Sequence, residues 1–76
     1  MNLDYYNIKD KYFTDEIVIY TNFYKIPEHP LRKNIKEIKI YDDINKIYEY
    51  DLIDNLVFVS NDYNKKLYIK IFYSVI

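Results

Sequence analysis

The sequence predicts a mainly β protein: one small domain over residues 1-76, an antiparallel twisted sheet of about four to six strands in a meander of hairpins. An α+β arrangement with one short helix is the alternative. Three observations predict this fold class. Apolar residues recur with a period of two more often than with a helical period. The periodic stretches are rich in β-branched and aromatic residues, Ile and Tyr above all. The segments between them hold Asn and Asp, which close tight turns.

In chain order, Tyr5 to Phe13 reads as an edge strand pairing with Ile17 to Phe23 across a Thr14-Asp15 turn, or as a short helix carrying Tyr5, Ile8 and Tyr12. The strand is preferred. In Glu16 to Tyr24 every position from Ile17 to Tyr20 is apolar, and the segment reads as a largely buried strand. Pro27-Glu28-His29-Pro30 breaks both strand and helix, so it is a loop separating the N-terminal third from the rest. Leu31, Ile35 and Ile38 have helical spacing, and Asp43 to Tyr48 also fits a short helical turn. The remaining signals are strand-like. Ile38 and Ile40 share a face, as do Tyr48, Tyr50 and Leu52; Leu56 to Val59 is continuously apolar; Leu67, Ile69, Ile71, Tyr73 and Val75 alternate with Tyr68, Lys70, Phe72 and Ser74. Asp42-Asp43-Ile44-Asn45, Asp54-Asn55 and Ser60 to Asn64 fit hairpin connections, so Ile35 to Ile76 reads as a meander.

The chain has no Gly. Every turn position with positive φ must therefore fall to Asn or Asp, which tolerate the left-handed region better than other residues. The glycine kinks that help a sheet close into a barrel are missing too, which favours an open or partly closed sheet. Val18, Ile38, Ile40, Val57, Val59, Ile69 and Ile71 are the expected core.

Composition narrows the function classes. Half of the 76 residues are apolar, 30% are charged and the net charge is -1, so the chain is neither disordered in type nor basic enough to wrap DNA. Ala, Cys, Gln and Trp are absent with Gly, and Ile, Tyr, Lys, Asn and Phe fill 46 of 76 positions. That bias follows AT-rich codons and points to a low-GC bacterium or a phage or plasmid living in one. Without Cys there are no disulfides, thiolate nucleophiles or Cys-based metal sites. Met1 to Tyr5 has no basic and apolar signal pattern, and no stretch approaches 18 uninterrupted apolar residues. A cytoplasmic protein of a bacterial or other host cell, with no membrane partner, is expected.

No catalytic, cofactor or metal residues are assigned. His29 is the only histidine and lies between two prolines. Without glycine or a second histidine the common phosphate-binding, dinucleotide, serine-hydrolase and zinc-protease motifs cannot exist. The prediction is a non-enzymatic protein without cofactors. Asp42, Asp43, Glu49 and Asp51, with Asp54, form the densest acidic segment. Their spacing matches no calcium loop, and solvated turn acids that resist edge pairing explain them better.

Tyrosine carries the functional reading. Ile, Leu, Val and Phe supply 26 apolar side chains without a polar tip, enough to fill a core of this size. The 11 tyrosines are then expected at half-exposed positions. Tyr is enriched at protein interfaces because it contributes rigid contact area at low entropy cost; AT-rich codons and ordinary cross-strand packing are the competing explanation. Tyr48, Tyr50, Tyr63, Tyr68, Phe72 and Tyr73 are the interface candidates. The expected function is a small protein-binding module, of the kind phages and mobile elements use to inhibit a host defence protein by occupying its surface, as anti-CRISPR proteins do. Its expected partner is a host protein or a second copy of itself as a homodimer. One alternative is a nucleic-acid-binding sheet using interleaved Lys65, Lys66, Tyr68, Lys70, Phe72 and Tyr73. Another is a structural, self-assembling subunit.

Overall fold

The computed structural model of the protein describes residues 12–74. Six strands form in order: β1 (Tyr12–Ile19), β2 (Phe23–Lys25), β3 (Ile35–Tyr41), β4 (Tyr50–Ile53), β5 (Leu56–Val59) and β6 (Leu67–Ser74). The fold is mainly β and antiparallel, as expected, and the only helical element among the described residues is a 3-10 turn at Pro30–Arg32.

Connectivity differs from a simple meander. Two three-stranded sheets form, with orders β1-β6-β3 and β2-β5-β4. Only β4 and β5 are both consecutive and paired. Their connection is a two-residue turn, Asp54-Asn55, with φ of 49° and 66°, the positive values that a tight hairpin matching strand twist demands. Asn45 and Asn64 occupy the other positive-φ positions, at 63° and 52°. All four such positions among the described residues thus fall to Asn or Asp.

The first sheet is organised by β6, whose side chains alternate strictly between core and outer face. Leu67, Ile69, Ile71 and Tyr73 point inward, opposite Ile19, Ile17, Asp15 and Phe13 of β1. Ile38 and Ile40 of β3 lie beside Ile71 and Ile69. Val57 and Val59 of β5, with Ile26 after β2, complete one core shared by both sheets. Buried branched side chains of this size each contribute about 1.5–3 kcal/mol over an exposed position.

Three expectations are corrected here. Thr14 and Asp15 do not form a turn; they lie inside β1, paired with Phe72 and Ile71. Asp15 is tolerated at an inward position because Arg32 and Tyr73 satisfy its carboxylate. Val18 is not core but 46% exposed, since its neighbours Ile17 and Ile19 take the inward phase and period two sends Val18 outward. The apolar run from Ile17 does not continue as one strand to Tyr24; the chain bends at Tyr20–Asn22 and changes sheet. Of the segment expected between Tyr5 and Phe13, residues 5–11 lie outside the described residues. The helical spacing at Leu31 to Ile38 becomes the 3-10 turn followed by β3, and Asp43 to Tyr48 forms a loop rather than a helix.

Candidate interaction surfaces

Two polar clusters fix the framework. Arg32 Nε and Nη2 donate to Asp15 Oδ2 and Oδ1 at 2.7 and 2.9 Å, a two-pronged pair, and Tyr73 Oη donates to Asp15 Oδ2 at 2.9 Å. The hydrogen bonds from Arg32, helped by Tyr73, hold the Asp15 carboxyl below the usual carboxylate range despite its burial. Burial and the Asp15 carboxylate push the Tyr73 phenol far upward, and burial raises that of Tyr24. Arg32 also stands 4.9 Å over the Phe13 ring. Arg32 is the only arginine in the chain, and its planar fork suits this bidentate contact where lysine would not. The second cluster is Asn61, buried between loops. Its Nδ2 donates to Thr21 O and Lys65 O at 2.9 and 3.0 Å, and its Oδ1 accepts from Lys65 N at 2.9 Å.

The acidic segment divides. Asp42 is buried and organises its own loop: Oδ1 accepts from the N–H groups of Ile44 and Lys46 at 3.1 and 3.0 Å, and Oδ2 from Tyr48 Oη at 2.8 Å. Burial opposes its ionisation, but the Lys46 N–H, the Tyr48 hydroxyl and the Ile44 N–H outweigh it and hold its pKa low. Asp43 accepts from Tyr68 Oη at 2.6 Å. Glu49 and Asp51 are exposed. Among the described residues no three His, Asp or Glu side chains gather to hold a metal ion.

The aromatic candidates separate in the same way. Tyr73 is not an interface residue but fully buried, because its position on β6 points inward and its hydroxyl is absorbed by Asp15. Tyr48 and Tyr68 are half-buried and tied to Asp42 and Asp43, with Tyr68 stacked on Tyr41 at 5.4 Å. Phe72 is half-buried on the outer face, beneath Lys39 and Lys70 at 5.9 and 5.4 Å. Tyr50 is open, and Tyr63 is 87% exposed on the loop before β6. Lys65 and Lys66 precede β6; Lys66 Nζ stands 5.2 Å from the Tyr68 ring. His29 caps the 3-10 turn: its Nδ1 accepts from Leu31 N at 3.1 Å.

The open apolar surface lies elsewhere. On β2, β4 and β5 the face away from the core carries Phe23 opposite Phe58, and Ile53 opposite Leu56, with Lys25 and Asp51 at its edges. Phe23, Phe58 and Ile53 are 48%, 40% and 58% exposed. Beside this face a groove of about 880 Å³ runs between β3 and the β4–β5 pair, lined by Glu37, Ile40, Ile47, Tyr50, Asp51 and Phe58 among others.

Compared with family models, curated proteins and solved structures, the chain matches none. No helix among the described residues is long and apolar enough to cross a membrane.

Sequence reasoning missed Phe23, Ile53 and Phe58, although period two in Leu56 to Val59 assigns Phe58 to the face opposite Val57 and Val59. It missed the Asp15–Arg32 pair too. The available signal was a carboxylate in phase with Phe13, Ile17 and Ile19, which demands a partner, together with the single arginine that could supply one.

Proposed function

We propose that this protein is a non-enzymatic protein-binding module that inhibits a host protein, of the defence-related class that phages and mobile elements encounter, by occupying its surface. The observation that carries the reading is the outer face of β2, β4 and β5, where Phe23, Phe58 and Ile53 stand exposed beside a half-buried Leu56 among the described residues. Contiguous apolar surface rimmed by polar residues is the signature of a contact site. Aromatic side chains there supply the anchors that dominate binding energy. The small size and AT-rich coding bias support the mobile-element setting.

The test compares the wild-type protein with Phe23→Ser and Ile53→Ser as affinity baits in host cells. Both side chains are exposed, so melting temperature should hold while a partner recovered by the wild type is lost. Retention of every partner by both variants refutes the reading. A second reading, single-stranded nucleic-acid binding, has one observation in its favour: Tyr68, Lys70 and Phe72 lie on the outer face of β6 beside Lys39. Against it, Lys70 pairs with Glu16 at 3.4 Å and the chain's own lysines cover the rings. Salt-sensitive binding of an oligonucleotide, abolished by Phe72→Ser, would select it.

A further inference from the structure

We propose, building on the protein-binding reading, that the groove beside β3 receives an extended peptide strand of alternating apolar and basic side chains, which adds to the free edge of β3. The backbone supplies the first reason. Among the described residues β3 has a strand neighbour, β6, on one side only. On its other side Tyr48 N–H donates to Ile40 C=O at 2.9 Å and Asp42 N–H to Lys46 C=O at 3.2 Å, around a single bridge between Tyr41 and Ile47. The chain then leaves the edge. Antiparallel alternation turns the N–H and C=O of Ile38 toward the same side as Ile40 C=O, facing the groove. The pairing begun at Tyr41 is thus open to continuation by another strand.

The side chains supply the second reason. Ile47, 68% exposed, together with Tyr50 and Phe58, gives apolar walls for alternate side chains of an incoming strand. Backbone bonds for affinity and pockets for every second residue are how strand addition recognises peptides. The Glu37–Ile40 stretch is about 13 Å long at roughly 3.3 Å per residue, room for a short segment.

Charge chooses the occupant. Glu37, Glu49 and Asp51 line the groove against one cation, Lys39, which itself approaches Glu37 at 4.0 Å and the Phe72 ring. Carboxylates repel a nucleic-acid backbone. A basic strand meets both the open backbone and the carboxylates.

The test uses capped peptides of roughly nine residues: alternating Lys and Val, alternating Glu and Val, and the Lys/Val peptide N-methylated at every second residue. Titration calorimetry at low salt should show the Lys/Val peptide binding at least about tenfold tighter than the Glu/Val peptide. N-methylation on the bonding edge should abolish binding, and the Ile38 amide should become protected from hydrogen exchange. Glu49→Lys with Asp51→Lys, both exposed, should reverse the preference between peptides while the fold melts normally. Equal affinity for the two charged peptides, indifference to N-methylation, no binding at millimolar peptide, or protection at Phe23 in place of Ile38 overturns the proposal. So does protection of Ile38 that rises with protein concentration alone, which marks a second copy, or protection by an oligonucleotide. Using Glu49→Lys alone as bait separates the two readings, since Asp51 also borders the outer face. If it keeps a partner that Phe23→Ser loses, the groove proposal falls and the protein-binding reading stands; if neither variant loses one, the protein-binding reading falls.

Discussion

Tyr73→Phe isolates one atom of the framework. The ring is fully buried and stays in place against Phe13, 5.6 Å away between centroids, so the substitution creates no cavity. Only the hydrogen bond to Asp15 Oδ2, 2.9 Å long, is lost. A hydrogen bond to a charged group contributes about 1.5–3 kcal/mol. Here the lower end applies, because Arg32 still donates to both carboxylate oxygens and leaves no orphaned acceptor. At about 4–8 °C per kcal/mol for a domain of this size, the melting temperature should fall by roughly 6–12 °C at pH 7. The pH dependence gives an independent check. Asp15 has a folded pKa below its unfolded value, so its contribution is fully present above about pH 4 and is lost as pH falls through the lower folded value. The gap between wild type and variant should therefore close in acid. At the other extreme Tyr73 has a folded pKa raised above its unfolded value, chiefly by burial. Its contribution is present below about pH 10 and is lost as pH rises beyond it. Tyr73→Phe should escape that alkaline loss. Calorimetric melts at intervals from pH 2.5 to 11 read all three effects. An unchanged melting temperature at pH 7, or a gap that persists undiminished at the acid end, would refute the assignment of Asp15 as an ionised acceptor.

Ile69→Asp should unfold the domain, since Ile69 is buried at the centre of the β1-β6-β3 sheet with no cation beside it; a soluble variant with a normal melt would contradict the core assignment. Asn61→Ala should cost about 1–3 kcal/mol by stranding Thr21 O and the Lys65 backbone groups, read by denaturant unfolding. Asn55→Gly should be neutral or slightly stabilising, whereas Asn55→Val should cost about 1–3 kcal/mol because a β-branched residue resists φ near 66°. His29→Ala should leave partner binding intact, and complete loss of biological activity would reopen enzymatic roles for this exposed side chain.

Local chemistry was legible in the sequence where one residue type had to do one job. Without glycine the positive-φ positions had to be Asn or Asp, and Asn45, Asp54, Asn55 and Asn64 are. The alternation of Leu67 to Tyr73 placed Tyr68 and Tyr73 on opposite faces, as the structure has them. Strand order was not legible, because period two reports which face a side chain occupies and says nothing of which strand lies beside it. β6 thus sits between β1 and β3, although residues 20–66 separate it from β1 and residues 42–66 from β3. Val18 was misplaced because a run of four apolar residues hides the phase that Phe13, Asp15, Ile17 and Ile19 reveal. Asp15 was read as a turn residue from local propensity; a contact to Arg32, seventeen positions away, overrides that propensity.

The tyrosines divide between framework and surface. Tyr48, Tyr68 and Tyr73 each donate a hydroxyl to an aspartate, Asp42, Asp43 and Asp15 in turn. A chain without disulfides uses these bonds to pin loop to strand and strand to strand, so these three are engaged internally while Tyr50 and Tyr63 stay exposed. Phenylalanine has no hydroxyl to anchor, and its exposure depends only on whether a layer covers it. Phe13 is covered by Arg32, and Phe72 lies beneath two lysines. Phe23 and Phe58 lie on a sheet whose other face already packs on the core, and three strands of three or four residues leave nothing among the described residues to shield them. On the proposed reading, the inner face of β6 serves stability and the outer face of β2, β4 and β5 serves contact. Substitutions on the inner face of β6 should lower melting temperature before they affect binding, and those at Phe23 or Ile53 should do the reverse. Overlapping effects in both assays across the two sets would show that the sheets do not divide the work.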